Sequence, residues 1–112
     1  MKAIVDSGSL PGTHAAIQFH DGIPSMKPTE ANKQLAAQFS QVNIDMGLGA
    51  VTEVDPMSRG AGDISFIAAN IDCLDGIGPS GKGAHAPGET LNTKELPLLI
   101  QRAAIFMYRL TR

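Results

Sequence analysis

A chain of 112 residues, 43% hydrophobic and 18% charged, can bury a modest single-domain core and is too apolar to be read as disordered. Its net charge of −2 supplies no basic face for nucleic acid. Its apolar runs stop short of the roughly 18 residues of a membrane span, and its N-terminus lacks a signal-peptide core, so no membrane partner is expected.

In chain order, Lys2 to Val5 reads as the tail of a helix, ended by the breaker cluster Ser7-Gly8-Ser9-Leu10-Pro11-Gly12. His14 to His20 alternates, with Ala15, Ile17 and Phe19 on one face and His14, Gln18 and His20 on the other. That pattern predicts a half-buried strand with its histidines toward water. Asp21-Gly22-Ile23-Pro24 closes it, and Pro24 to Pro28 is an extended connector. Thr29 is a good N-cap for a helix whose first turn holds Glu30. Leu35, Phe39, Val42 and Met46 recur at 4-3-4 spacing on one face of it, and Gly47 is placed to cap its end. A short strand is predicted over Gly49–Val54, then a loop from Asp55-Pro56 to Gly62.

Asp63 to Ala69 reads as a second, shorter helix, and Ile71 to Leu74 as a core strand. The lone cysteine, Cys73, lies in that strand among apolar neighbours, which predicts an inert buried thiol. One cysteine excludes an internal disulfide and fits a reducing compartment or simple indifference to redox, with the cytoplasm as the default setting. A glycine-crowded loop, Gly76 to Ala84, then delivers His85, with Glu89 four residues on. The last helix opens near Thr93, takes Pro97 in its first turn and runs to about Leu110. Its apolar face is Leu96, Ile100, Ala103, Phe106, Met107 and Leu110, and Arg102, Arg109 and Arg112 read as complements to its dipole. Strands interleaved with helices predict an α/β arrangement.

Three chemistries compete for the glycine loop. Gly76-x4-Gly81-Lys82 nearly spells a phosphate-binding loop, but Gly83 stands where a magnesium-holding Ser or Thr is needed. Ala84 to Gly88 cannot readily open the helix that such a loop requires. Nucleophilic catalysis by Ser80, Ser65 or Cys73 with His85 as base lacks a strained elbow, and Ser80 and His85 share one loop. A metal-ligating His85 suits a glycine-rich loop beyond a strand end, yet zinc takes three or four protein ligands. His14 and His20 sit on a separate strand, and Asp63 and Asp75 read as an N-cap and a turn residue. The residues by themselves leave open a surface histidine without a ligand.

Read together, three blocks resemble the C-terminal end of the M20 family of zinc exopeptidases and amidohydrolases, glutamate-carboxypeptidase-type members most closely. Gly60 to Ala69 is similar to the family's Gly-Gly-(Gly/Thr)-(Ser/Thr)-Asp-Ala segment, with Gly62 in the place of the usual Ser or Thr. Leu74 to Glu89 resembles its strand, glycine loop and His-(Thr/Ser)-x-x-Glu motif, and Leu96 to Ala104 its closing helix. Leu10 to Pro24 resembles the last strand of the family's inserted lid domain and the crossing back into the catalytic domain. The resemblance implies the C-terminal part of a zinc-exopeptidase-type catalytic domain over residues 25–112, with a lid or dimerisation remnant over residues 1–24. It implies that His85 is the last ligand of a two-zinc site and that Gly62, Asp63, Gly81 and Gly83 face substrate.

By that resemblance the rest of the site, including a second histidine, a bridging aspartate and the glutamate general base, belongs to an N-terminal part outside these residues. The expectation is a fragment of a zinc metallopeptidase or amidohydrolase that is inactive without that part or a complementing chain. Its unpaired edges and uncovered helix faces predict self-association when isolated. The rival expectation is a non-catalytic α/β module that associates through an exposed sheet edge at His14–His20.

Overall fold

The computed structural model describes residues 1–7 and 10–112, with the backbone alone at Asp6. Of the predicted breaker cluster, Gly8 and Ser9 lie outside the described residues. The predicted helix tail is α1, Lys2–Asp6. From Leu10 to Thr29 no helix or strand forms. The strand expected over His14–His20 is therefore absent: Ile17 is half-buried, but Phe19, meant for the same inner face, is 66% exposed. Alternation selects a face, whereas a strand also needs a neighbour for its backbone groups, and none pairs here among the described residues. The rival reading loses its sheet edge at this position.

Helix α2, Glu30–Asp45, begins where the sequence predicts. The Thr29 hydroxyl accepts the Asn32 N–H at 3.1 Å, satisfying one of the orphan donors of the first turn. The helix ends at Gly47, whose φ of +74° is a left-handed value. There the Gly47 N–H donates to the Ile44 carbonyl and the Leu48 N–H to the Asn43 carbonyl, both at 2.9 Å. This reciprocal pair is a Schellman cap, which needs a left-handed residue at the glycine's position.

Beyond α2, the strand predicted over Gly49–Val54 is also replaced by irregular chain, held where the Val51 N–H donates to the Ser40 hydroxyl at 2.9 Å. A 3-10 turn, Pro56–Ser58, is capped by the Asp55 carboxylate accepting from the Met57 N–H. The predicted helix over Asp63–Ala69 shrinks to a 3-10 turn, Asp63–Phe66, followed by hydrogen-bonded turns. The strand predicted over Ile71–Leu74 does not form either, and the segment joins no ladder. In place of a neighbouring strand, the Asn32 side-chain oxygen of α2 accepts the Cys73 N–H at 3.0 Å. Cys73 is buried, as expected, and burial, reinforced by Asp72 and Asp75, pushes its thiol up from the ordinary value.

The sheet that does form was not expected. Strands β1, Gly81–Lys82, and β2, Thr90–Leu91, pair antiparallel, with Gly81 opposite Leu91 and Lys82 opposite Thr90. After a 3-10 turn, Thr93–Glu95, helix α3 runs from Leu96 to Leu110 with Pro97 in its first turn. A mixed α/β chain results.

The core is the α2–α3 contact. Phe39 meets Phe106 edge to face, with ring centroids 5.1 Å apart and planes at 78°. Val42 is fully buried beside them, and Leu35, Met46, Leu74 and Ile105 pack around the three. Arg102 lies over the Phe39 ring at 4.7 Å, Arg109 pairs with Asp45 at 2.6 Å, and Arg112 stacks on Tyr108. Arg102 and Arg109 thus join α3 to α2, a role beyond complementing a dipole. The apolar face predicted for α3 splits in two: Phe106 is buried, while Ile100 is 66% and Met107 60% exposed and Leu110 is exposed too. The radius of gyration is 20.1 Å, against about 13 Å for a compact domain of this length.

Candidate functional site

The glycine loop is fastened at two points before it reaches His85, one on α3 and one on the 3-10 turn that leads into it. Arg102 donates to the Ile77 carbonyl at 2.7 Å, and a second guanidinium nitrogen reaches the Asn43 side chain of α2 at 3.3 Å. Three residues on, the Ser80 N–H and hydroxyl both donate to the Glu95 carboxylate, at 3.1 Å and at 2.9 and 3.0 Å. Asn92 donates its side-chain amide to the same carboxylate at 2.7 Å, and its backbone N–H to the Ser80 carbonyl at 2.9 Å. Hydrogen bonds from the Ser80 N–H, then the Ser80 hydroxyl, then Asn92 hold the Glu95 carboxyl below its ordinary range. These contacts close the base of the β1–β2 hairpin.

Gly81 permits the strands to meet, since a Cβ there would run into the Thr90 carbonyl oxygen. Gly83 is left-handed, and a Cβ there would come 3.7 Å from the Glu89 Cα. Two turns then reverse the chain. In the second, Ala86-Pro87-Gly88-Glu89, the Glu89 N–H donates to the Ala86 carbonyl at 3.1 Å and Gly88 takes a φ of +84°. Proline second and a left-handed glycine third are the residues a type II turn favours. In the first, Gly83-Ala84-His85-Ala86, the Ala86 N–H donates to the Gly83 carbonyl at 3.0 Å, and the third residue is His85 with a φ of +64°. His85 is the one non-glycine residue with a positive φ among the described residues, and that conformation costs about 1 kcal/mol. Its backbone N–H is turned inward to the Glu89 carboxylate at 3.4 Å, and the residue is exposed.

The predicted site residues therefore fall into two groups. Gly81, Gly83 and His85 share the hairpin, with Glu89 against them. Gly62 and Asp63 meet the start of the loop instead: a Cβ on Gly62 would lie 2.7 Å from the Asp75 carboxylate, and Asp63 opens the following 3-10 turn. Asp75 also accepts the Gly76 N–H at 2.7 Å. A pocket of about 440 Å³ adjoins this second group, lined among others by Met26, Asn32, Phe39, Asp75 and Arg102. It does not include His85. The Asn32 side-chain nitrogen beside it is buried without a hydrogen-bond partner.

Tested against zinc, this arrangement supplies one imidazole. Among the described residues, no three His, Cys, Asp or Glu side chains gather as a metal site, whereas zinc takes three or four protein ligands. The residues present do not close a coordination shell by themselves.

Sequence reasoning missed Glu95 and the loop-holding role of Arg102. Glu95 was visible as the acid three residues after Asn92, in the spacing of a capping box. Asn92 does cap, its side-chain oxygen accepting the Lys94 N–H at 3.3 Å, but Glu95 is diverted to Ser80, a contact across 15 residues that no local pattern announces. No helix among the described residues is long and apolar enough to cross a membrane. A family model described as peptidase family M20/M25/M40 matches residues 3–109. No curated protein and no solved structure matches the chain.

Proposed function

The chain belongs to peptidase family M20/M25/M40, and from that premise we propose that it is part of a zinc-dependent hydrolase of peptide or amide bonds to which it contributes His85 as a metal ligand. In this reading Gly62, Asp63, Gly81 and Gly83 line the substrate path, residues 25–112 belong to a catalytic domain, and residues 1–24 derive from a lid. The remaining zinc ligands and the general base come from polypeptide outside these residues, in a cytoplasmic enzyme of the glutamate-carboxypeptidase type. The observation that carries the proposal is the first turn of the hairpin. A histidine occupies the left-handed position that glycine fills in the turn beside it, a local strain that structure alone does not require. The hairpin tip holds that imidazole at the surface, free to meet ligands from another segment.

The substitution His85→Gly separates the two demands, since glycine relieves the turn while removing the imidazole. The chain is titrated with zinc alone, then combined with the co-expressed family N-terminal part and assayed for amide hydrolysis. Weak zinc uptake by the isolated chain, hydrolysis on complementation, and loss of that hydrolysis in His85→Gly at unchanged or raised thermal stability are expected. Tight stoichiometric zinc binding or robust turnover by the isolated chain overturns the proposal, as does full activity of complemented His85→Gly.

A further inference from the structure

We infer that Glu95 is a positioning residue, which sets the orientation of the His85 hairpin on α3 by gripping Ser80 at the hairpin's base. Three donors converge on one half-buried residue's carboxylate: the Ser80 N–H, the Ser80 hydroxyl, within reach of both oxygens, and the Asn92 amide. Their effect is geometric. Ser80 immediately precedes β1 and Asn92 immediately follows β2, and the Asn92 N–H also donates to the Ser80 carbonyl. A single group therefore holds both legs of the hairpin where they leave the sheet.

A two-pair ladder has little stability of its own, so the hairpin's direction depends on this anchor. Glu95 and Arg102 are seven residues apart, two helical turns, and so share one side of the segment that enters α3. Arg102 holds the Ile77 carbonyl and Glu95 holds Ser80, which clamps the loop from Ile77 to Ser80 between a cation and an anion. Arg102 also stacks on Phe39 and binds Asn43, so changing it disturbs the core. Glu95 lies outside the core cluster, which makes it the residue whose removal frees the hairpin and leaves the helices packed.

That this orientation matters to a metal rests on the reading above, while the anchoring does not. The experiment reads the anchoring directly, by hydrogen exchange with mass spectrometry on the full chain as the wild type, Glu95→Ala and Glu95→Gln. In Glu95→Ala, peptides covering residues 77–92 are expected to exchange at least about tenfold faster, the change in local opening that losing one hydrogen bond to a charged acceptor implies. Peptides from α2 and the second half of α3 are expected to stay at wild-type rates. Glu95→Gln keeps an acceptor for Ser80 and is expected to restore most of the protection. Unchanged exchange over residues 77–92 in Glu95→Ala overturns the inference, and so does acceleration spread equally over α2 and α3. Failure of zinc binding or complementation leaves this readout untouched, so the two readings fail separately.

Discussion

Phe106 and Ile100 are six residues apart on α3 and face directions about 120° apart, although the sequence assigns both to one apolar face. Truncating each to alanine tests which face the protein buries. Phe106 is 7% exposed. A phenylalanine that buries about 150 Å² at 25 cal/mol per Å² gives about 4 kcal/mol, within the range of roughly 3–5 measured for such truncations. Its loss also removes the edge-to-face partner of Phe39 and opens a void beside Val42, which the surrounding Leu35, Met46 and Ile105 can fill only in part. Ile100 is 66% exposed, so its truncation forfeits about a third of a full burial, about 1 kcal/mol or less. Urea unfolding followed by helix circular dichroism at low protein concentration measures both. With total stability of small domains at about 5–15 kcal/mol, Phe106→Ala is expected to lose between about a quarter and four-fifths of its stability and to unfold at much lower urea, while Ile100→Ala unfolds near the wild-type midpoint. Equal costs for the two, or a larger cost for Ile100→Ala, would refute the packing described, because the outer stripe of α3 would then be buried in solution.

Two further outcomes are expected. Glu95 and Asp45 both sit below their ordinary values of 4.5 and 3.8, Asp45 through the Gln41 amide first and Arg109 second. A depressed carboxyl contributes stability that is present above its unfolded value and lost as pH falls through its folded one. The thermal midpoint should therefore hold near neutral pH and decline below about pH 4.5, more gently in a Glu95→Gln, Asp45→Asn double variant; acid profiles that superimpose contradict this. In Gly81→Ala, the added Cβ meets the Thr90 carbonyl and opens the β1–β2 ladder, so trypsin should cut after Lys82 several-fold faster than in wild type, with helix content unchanged. Cleavage at the wild-type rate would show that the hairpin does not need the close approach.

What could be read from the sequence divides along the range of the interactions involved. Helix α2 was legible at both ends because its determinants are local: Thr29 caps three residues on, and Gly47 ends the helix, its N–H bonding to Ile44 and that of Leu48 to Asn43. Helix α3 was legible in extent for the same reason, but not in orientation, because two apolar stripes of similar strength run along it and only the partner decides between them. The strands failed differently. Period-two alternation at His14–His20 and apolar runs at Gly49–Val54 and Ile71–Leu74 state which face a strand would bury, and say nothing about whether a neighbour supplies its hydrogen bonds. At Cys73 the missing neighbour is replaced by one side chain, Asn32, a substitution no periodicity encodes. His85 was legible as chemistry, through the glycines before it, but its left-handed turn was not, since histidine favours positive φ only modestly and the turn is set by the Ala86 N–H bonding back to Gly83.

The same division bears on what the hairpin is for. With Ile100 and Met107 exposed and the predicted strands left as irregular chain, the accessible surface is 8973 Å², where a compact monomer of this mass exposes about 5,900 Å². The excess is large enough to accommodate a standard interface, which removes about 800 Å² from each partner. In such an open frame the α2–α3 contact alone could not keep a loop twenty residues away in register. The Ile77 and Ser80 anchors do so locally, with Arg102 tying the loop to the one packed core and Glu95 passing that constraint to the hairpin. The histidine is thus held in place by contacts made within the chain itself.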